Sequence, residues 1–483
     1  MTLTSQAAET KWRLYLSLVM LALGAGLLSA AAASGGDTVP SIRRGGTFNI
    51  ALAGGAGNVD PALLDGNGFT VIEPTCARLM SYPDKPPPQG FRLAPEVAAA
   101  YPRVSTDGKT YTFTLRAGLR FSDGRLVRAD AFERAIVRIL KVNLGDAIQL
   151  LQEIVGADRV REGRAEVVAG ITARGNRLRV RLSRPAPAFP ARMSAPWFCA
   201  VPPALPVDPE GETTFPAAGP YYVAENVRGR RIVLRRNRFY RGSRPRRAER
   251  FVVDLQPGTF EEVLDRIERG TADWGAVPVF FQLQRGLQRK YGVNRSRFFL
   301  KPGLVFRHYH FNTARPLFRN NAELRRAVNY AIDRSAVRAA LEGRVGSRLT
   351  DQYLPPGLPG FRDARIYPLR RPNVSKARAL ANRHRRSGKV VLFTPDPPPF
   401  IAAAQVIKRN LAKIGLDVEV RGIPFSAYYP RVAGNPAEPW DLAFADWAPD
   451  HLDPYTYSIC SSTGGSSGRT TCRTSTRRRS TAG

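Results

Sequence analysis

Residues Asp107–Leu140, DGKTYTFTLRAGLRFSDGRLVRADAFERAIVRIL, spell a strand, a tight turn and a helix. Tyr111, Phe113 and Leu115 alternate with Thr110, Thr112 and Thr114, which predicts a β-strand with an apolar face and a hydroxyl face. Gly118 bends the chain, and Ser122-Asp123-Gly124 is a second turn signal. Beyond it Phe132, Ile136, Ile139 and Leu140 recur at helical spacing behind an acidic first turn at Asp130. The stretch holds no nucleophile, metal cluster or phosphate loop. Its reading is architectural.

Upstream, Thr47 to Leu52 reads as a strand followed by a glycine-rich loop and an irregular segment opened by Asp60-Pro61. No Lys-Ser or Lys-Thr follows the glycines, so a phosphate loop is excluded and the loop reads as close backbone approach to something bound. Downstream, Glu166–Ala169 and Arg177–Leu182 read as a hairpin, with Ile171, Leu178, Val180 and Leu182 alternating. Proline-dense text from Pro185 to Pro220 and from Pro355 to Pro372 marks connectors. Glu261–Arg269 predicts a short amphipathic helix, Gly270–Val277 the start of a strand, and Phe306–Thr313 another strand. In Ala322–Arg334 the apolar Leu324, Val328 and Ile332 fall at i, i+4, i+8, which predicts a helix with one buried face. Strand 390–393, helix 401–414, Gly415 as C-cap and strand 417–421 form a βαβ unit, hence a parallel sheet with a right-handed crossover. A strand at 442–444 then runs into Trp447, Asp450, Asp453 and Pro454. From Ser461 to Gly483 the text is Ser/Thr/Arg-rich without apolar periodicity and adds nothing to a core.

The 483 residues exceed one core and predict two or three domains, and 43% hydrophobic residues with 9% aromatics fit a globular chain. Lys11 and Arg13 precede an apolar run from Leu14 to Leu28, and Ala31-Ala32-Ala33 before Ser34 supplies small residues for cleavage, so residues 1–33 read as a signal peptide. The expectation is an exported protein on the periplasmic or extracellular side of the cytoplasmic membrane, with no lipoprotein cysteine. The formal charge of +33 suits polyanions, but the excess is arginine spread in short clusters without an aromatic platform, so a biased codon composition accounts for it as well, and no nucleic-acid partner is expected. In an exported chain Cys76 and Cys199, both in apolar text, are candidates for a disulfide; two buried thiols are the alternative. His308 and His310 share a strand face as two metal ligands would, or simply pack there. With no third ligand nearby, the expectation is no metal and no cofactor. No Gly-x-Ser-x-Gly elbow or catalytic constellation stands out, which makes an enzyme the weaker class.

Several motifs together resemble the extracellular solute-binding proteins of family 5, the peptide, dipeptide and nickel receptors of ABC importers. They are the 107–140 stretch, Asn58-Val-Asp-Pro61, FCAVPP and AGPYYV in the first connector, the Asn237–Tyr240 turn ending the Arg231–Gly242 strand, and LRRAVNYAIDR at 324–334. The resemblance covers about Gly45 to Tyr457. It implies an α/β, two-lobed fold like the periplasmic binding proteins (type II, cluster C) with an inserted subdomain and a C-terminal part that reads as truncated or out of frame after Ile459. The boundaries it implies are first lobe 42–80 and 206–303, inserted subdomain 81–205, second lobe 304–459 and tail 460–483. It also implies ligand capture between lobes, hinge closure and docking on a membrane permease, in a monomer. Peptide-binding relatives place an aspartate three residues after a tryptophan to hold the peptide's α-amino group, and the matching positions are Trp447 and Asp450, although a solvated Asp450 remains an alternative. Leu64, Asp65 and Gly66 match a backbone contact edge of the first lobe. The ligand expected is an oligopeptide or similar solute; nickel, sugar or haem within the same family, and a secreted polyanion-binding protein, are the alternatives.

Overall fold

The computed structural model describes residues 44–460 apart from 56, 65, 87, 144, 277–280, 301–302, 344–346, 385 and 435–437. The expected signal peptide, Asp65 and the tail from 461 lie outside the described residues. The chain divides into two compact units, one running to residue 278 and including Asp450–Leu452, the other comprising 279–449 and the residues from 453. The motifs place the end of the first lobe at 303, whereas the Phe281–Tyr291 helix falls in the second unit. Periodicity identifies a helix without saying which core it joins.

In the first unit the strands are β1 (Thr47–Ala51), β2 (Met80–Ser81), β3 (Ala94–Pro95), β4 (Arg103–Val104), β5 (Thr110–Thr114), β6 (Ile171–Arg174), β7 (Arg177–Arg181), β8 (Tyr221–Val227), β9 (Arg231–Arg236), β10 (Arg250–Asp254) and β11 (Trp274–Gly275). One sheet runs β11-β1-β10-β9-β8, with β1 parallel to both its neighbours, and a second runs β4-β5-β7-β6, antiparallel throughout. In β5 the alternation acts as expected, with Tyr111 and Phe113 buried and the threonines turned outward. The helix expected after Asp130 is Asp130–Val142, closed by Asn143 in the left-handed region at φ 59°. Phe132, Ile136, Ile139 and Leu140 are buried on it. They join one apolar cluster that also holds Ala62, Phe69, Ile72 and Met80, so the core is continuous across the boundary at residue 80.

Three local readings change. Residues 166–169 are not a strand; the hairpin is β6–β7 across Gly175-Asn176. Gly170 donates to Val155 O at 2.7 Å and Ala169 packs against Gly156, which turns the chain before the strand begins. The irregular segment after Asp60 contains a helix, Gly68–Thr75, hidden in the sequence by Gly68 and Pro74. A Cβ on Gly68 would lie 2.1 Å from Asn58 O, so glycine is there for packing. In the glycine-rich loop Gly54 and Gly55 have φ of +82° and +80°, and a Cβ on either would meet nothing within 4 Å. Their backbone angle by itself favours glycine at both positions. The loop carbonyls of Ala53 and Gly55 are taken by Asn67 Nδ2 at 2.9 and 2.5 Å.

The second unit is built on β12 (Phe306–Phe311), β13 (Val390–Pro395), β14 (Val418–Ile423) and β15 (Leu442–Trp447), in the order β12-β15-β13-β14. β13 pairs in parallel with β14 and β15, as the βαβ reading requires, and Pro398–Ala412 is the crossover helix. Gly415 has φ +76°, the left-handed value of a helix terminator. The helix read over 322–334 is two: Ala322–Ala331, capped by Asn321 Oδ1 accepting from Leu324 N at 3.2 Å, and Arg334–Leu341, capped by Asp333. Ile332 is extended between them, because Asp333 offers its carboxylate to Ala336 N at 2.9 Å and so starts a new helix.

Candidate functional site

The sequence-predicted positions are distributed over both units: Leu64, Gly66 and Asp450 in the first, Trp447 in the second. Leu64 is buried in the large core cluster, so only its backbone is available to a ligand, and Gly66 is buried with φ +48°. Just before them Asp60, fully buried, forms a bidentate pair with Arg138 at 2.7 and 2.6 Å. Asp60 also accepts from Ala62 N and Glu212 N, each at 2.9 Å, and Arg138 Nε donates to Pro206 O at 2.6 Å. One carboxylate and one guanidinium thus tie the loop at 60, the Asp130–Val142 helix and the first connector into a fixed frame. Sequence reading passed over Arg138, which interrupts an otherwise apolar face; an arginine at that spacing was the available signal.

A second ionic knot surrounds the end of the Gly68–Thr75 helix. Arg78 binds Glu73 through two bonds of 2.8 and 3.0 Å, and Arg244 reaches Glu96 at 2.9 Å and Glu73 O at 2.6 Å. Arg78 beside it holds the Glu73 carboxyl below its ordinary range against the opposing effect of burial. Cys76, the residue ending that helix, is joined to Cys199 by a disulfide with Cα atoms 5.2 Å apart. Phe69 meets Trp197 edge-on at 5.6 Å beside it. At the other end of the connector, Asn237 Nδ2 donates to Ala217 O and Gly219 O at 3.3 and 3.0 Å, and its Oδ1 accepts from Phe239 N at 2.9 Å, which makes the Asn237–Tyr240 turn the anchor of the AGPYYV segment.

Trp447 ends β15, opposite Phe306 of β12. Its indole N–H donates to Thr456 Oγ1 at 3.2 Å, which fixes the ring plane. Asp453 and Pro454 begin the Pro454–Cys460 helix, with Asp453 Oδ1 accepting from Tyr455 N at 2.8 Å. On the face that Trp447 shares with Phe306, His308 and His310 continue the row: the imidazoles lie 4.3 Å apart, and Tyr353 packs on Phe306 and His308 at 5.2 and 5.5 Å. Burial, aided by His310, pushes His308 down to about 3, and burial pushes His310 down to about 4, so both are neutral at pH 7. No group of three or more metal-ligating side chains occurs among the described residues. The opposite face carries charge: Arg307 pairs with Glu342 and lies 3.7 Å from Asp446, which accepts from Tyr429 Oη at 2.6 Å. In the first unit Asp450 is half-buried, and the adjacent His451, buried and near Arg192, is pushed down to about 3. Tyr82 Oη donates to Leu452 O at 3.2 Å. A cleft of about 340 Å³ on the β1-β10-β9 sheet is lined by Asn49, Arg230, Arg231, Asp254 and Thr271, none of them a predicted site residue.

Comparison with known proteins decides the family. The sequence profile described as bacterial extracellular solute-binding proteins, family 5 Middle, matches residues 92–468. The chain belongs to this family. Its members are solute-binding receptors, the class that the motifs implied, and the mixed α/β sheets are those of a periplasmic-binding-protein fold. Among curated family relatives, the probable D,D-dipeptide-binding periplasmic protein DdpA of Escherichia coli (strain K12) is 25% identical over 414 residues, covering 83% of this chain and 74% of its own. The dipeptide-binding protein DppE of Bacillus subtilis (strain 168) is 25% identical over 391 residues, covering 76% and 68%. Among solved structures, the clavulanic acid biosynthesis oligopeptide binding protein 2 superposes with a TM-score of 0.75 at 25% identity, over 86% of this chain and 79% of that one.

Proposed function

We propose that this chain captures oligopeptides or similar solutes outside the cell and hands them to the permease of an ABC importer, acting as a monomer without chemistry of its own. The carrying observation is Trp447-x-x-Asp450 at the end of β15 in a family 5 receptor. The tryptophan there is held by Thr456 and lies opposite Phe306 in the sheet register, and a half-buried carboxylate follows three residues on. A peptide's α-amino group loses hydration on binding and needs a carboxylate to compensate, a role Asp450 fills. Trp447 offers an aromatic face for a ligand side chain. Main-chain groups at Leu64 and Gly66 would add hydrogen bonds that do not select side chains, which suits a receptor for peptides of mixed sequence. The names of the curated relatives, which bind dipeptides, support the same ligand class.

Calorimetric titration of the protein with a pool of di- to pentapeptides tests this. Saturable heat from peptides is the expected result. No heat from peptides, together with binding of nickel, a sugar or haem, overturns the peptide assignment.

A further inference from the structure

The antiparallel sheet β4-β5-β7-β6 buries one face and exposes the other, and the exposed face has an unusual composition. Across it run Arg103 of β4, Thr110, Thr112 and Thr114 of β5, Arg177, Arg179 and Arg181 of β7, and Thr172 and Arg174 of β6. The strand register aligns Arg103, Thr112, Arg179 and Thr172 in one row, Thr114, Arg177 and Arg174 in another, and Thr110 with Arg181 in a third. All five arginines are exposed. None has an ion-pair or side-chain hydrogen-bond partner among the described residues. No acidic residue occupies any position of these four strands. Elsewhere in the same unit arginines are consumed by carboxylates, as at Arg78, Arg138, Arg184 and Arg192. Five like charges on one small face repel one another and stabilise nothing within the fold.

We propose that this face docks on an anionic phospholipid surface. Adjacent strands stand about 4.8 Å apart and alternate residues along a strand about 6.8 Å, so the guanidinium groups form a two-dimensional array. A plane of headgroup phosphates is complementary to such an array in charge, and like it extends in two dimensions. The threonine hydroxyls between the arginines add donors for phosphate oxygens. Two absences on the face bear on the choice of partner: no aromatic side chain on which a base could stack, and no apolar side chain to insert, which leaves surface adsorption by charge. For a receptor that must reach a membrane permease, adsorption would reduce the search to two dimensions; the docking does not depend on which solute is carried.

Co-sedimentation with vesicles tests the proposal. Wild-type protein is mixed with phosphatidylcholine vesicles, with or without 30% phosphatidylglycerol, at low salt and at 0.5 M salt, and compared with R177Q/R179Q/R181Q and with R362Q/R370Q/R371Q, which removes the same charge elsewhere. Each arginine near an anionic surface contributes about fivefold in affinity, so the β7 triple variant is expected to bind anionic vesicles on the order of a hundredfold more weakly and R179Q alone about fivefold. The control variant is expected to fall by much less, high salt to abolish binding, and both triple variants to keep the wild-type melting temperature and peptide affinity. Equal losses in both triple variants, or equal binding to neutral vesicles, overturn the proposal. So does tighter binding to soluble polyphosphate than to vesicles with the same loss in the β7 variant, which would reassign the face to a linear polyanion.

Discussion

In the first unit the deepest ion pair is closed to water on both sides, Arg138 and Asp60 being 1% and 0% exposed, and it joins segments as far apart in sequence as 60, 138, 206 and 212. In the second unit the buried carboxylates meet arginines that stay partly wet: Asp441 at 2% with Arg315 at 33%, and Asp446 at 5% with Arg307 at 30%. Sealed charge is intolerant of losing its partner, while a half-exposed partner can be replaced by water. The first unit therefore holds its loops and connector through fixed electrostatics. The second relies on a parallel βαβ core and presents a neutral row of aromatic and imidazole rings beside Trp447.

The largest expected effect follows from breaking the sealed pair. Arg138→Met leaves Asp60 charged in a dry site and should cost about 3–5 kcal/mol, read as loss of the first unit's transition in denaturant melts. Asp60→Asn combined with Arg138→Met should cost less than Arg138→Met alone, since it removes the stranded charge. Next comes Cys76–Cys199, which closes a loop with a sequence separation of 123. Cys76→Ser with Cys199→Ser should destabilise by about 2–5 kcal/mol, with the shift confined to the first unit's calorimetric transition. A shift of equal size in both transitions would remove the contrast between the units. Arg315→Ala in the second unit should cost only about 1–2 kcal/mol, because Asp441 keeps its 2.9 Å bond from Val391 N.

The remaining prediction concerns pH dependence. The folded state holds His308 near 3 and His310 near 4, below the ordinary 6.5. The unfolded chain then binds more protons between these values, so the stability tied to both histidines is complete above pH 6.5 and lost as pH falls toward 3. His308→Gln should lessen, without abolishing, the fall of the second unit's melting temperature between pH 6.5 and 4, since His310 still titrates, and leave the first unit's profile unchanged, His451 of the first unit remaining in place to give that unit its own acid slope.

Much of this was legible where sequence period and burial agree. The β5 alternation, the Asp130–Val142 helix and the βαβ unit at 390–423 all follow from apolar spacing alone. The Gly68–Thr75 helix was not legible, because its glycine serves a contact with Asn58 that only the fold creates. Nor was the break at Ile332, where one cap at Asp333 outweighs continuous apolar spacing. Of the candidate site, Trp447 and Asp450 could be picked out by motif; Arg138 stood out only as an arginine among apolar residues, its partner Asp60 lying far away in sequence, and the exposed Tyr353's contact with Phe306 and His308 left no trace in the sequence. The arginine excess, spread along the text, gave no hint that five of its members align on one sheet face, because that alignment is a property of strand register.

The proposed role of Asp450 is to receive a peptide's α-amino group. Its most direct test is calorimetric titration of wild-type protein and Asp450→Ala with a binding tripeptide and its N-acetylated form. Acetylation and the substitution are each expected to weaken binding by about 10- to 100-fold, as for a hydrogen bond to a charged group, and the two losses not to add. Equal affinity for free and acetylated peptide, or full affinity in Asp450→Ala, would contradict it.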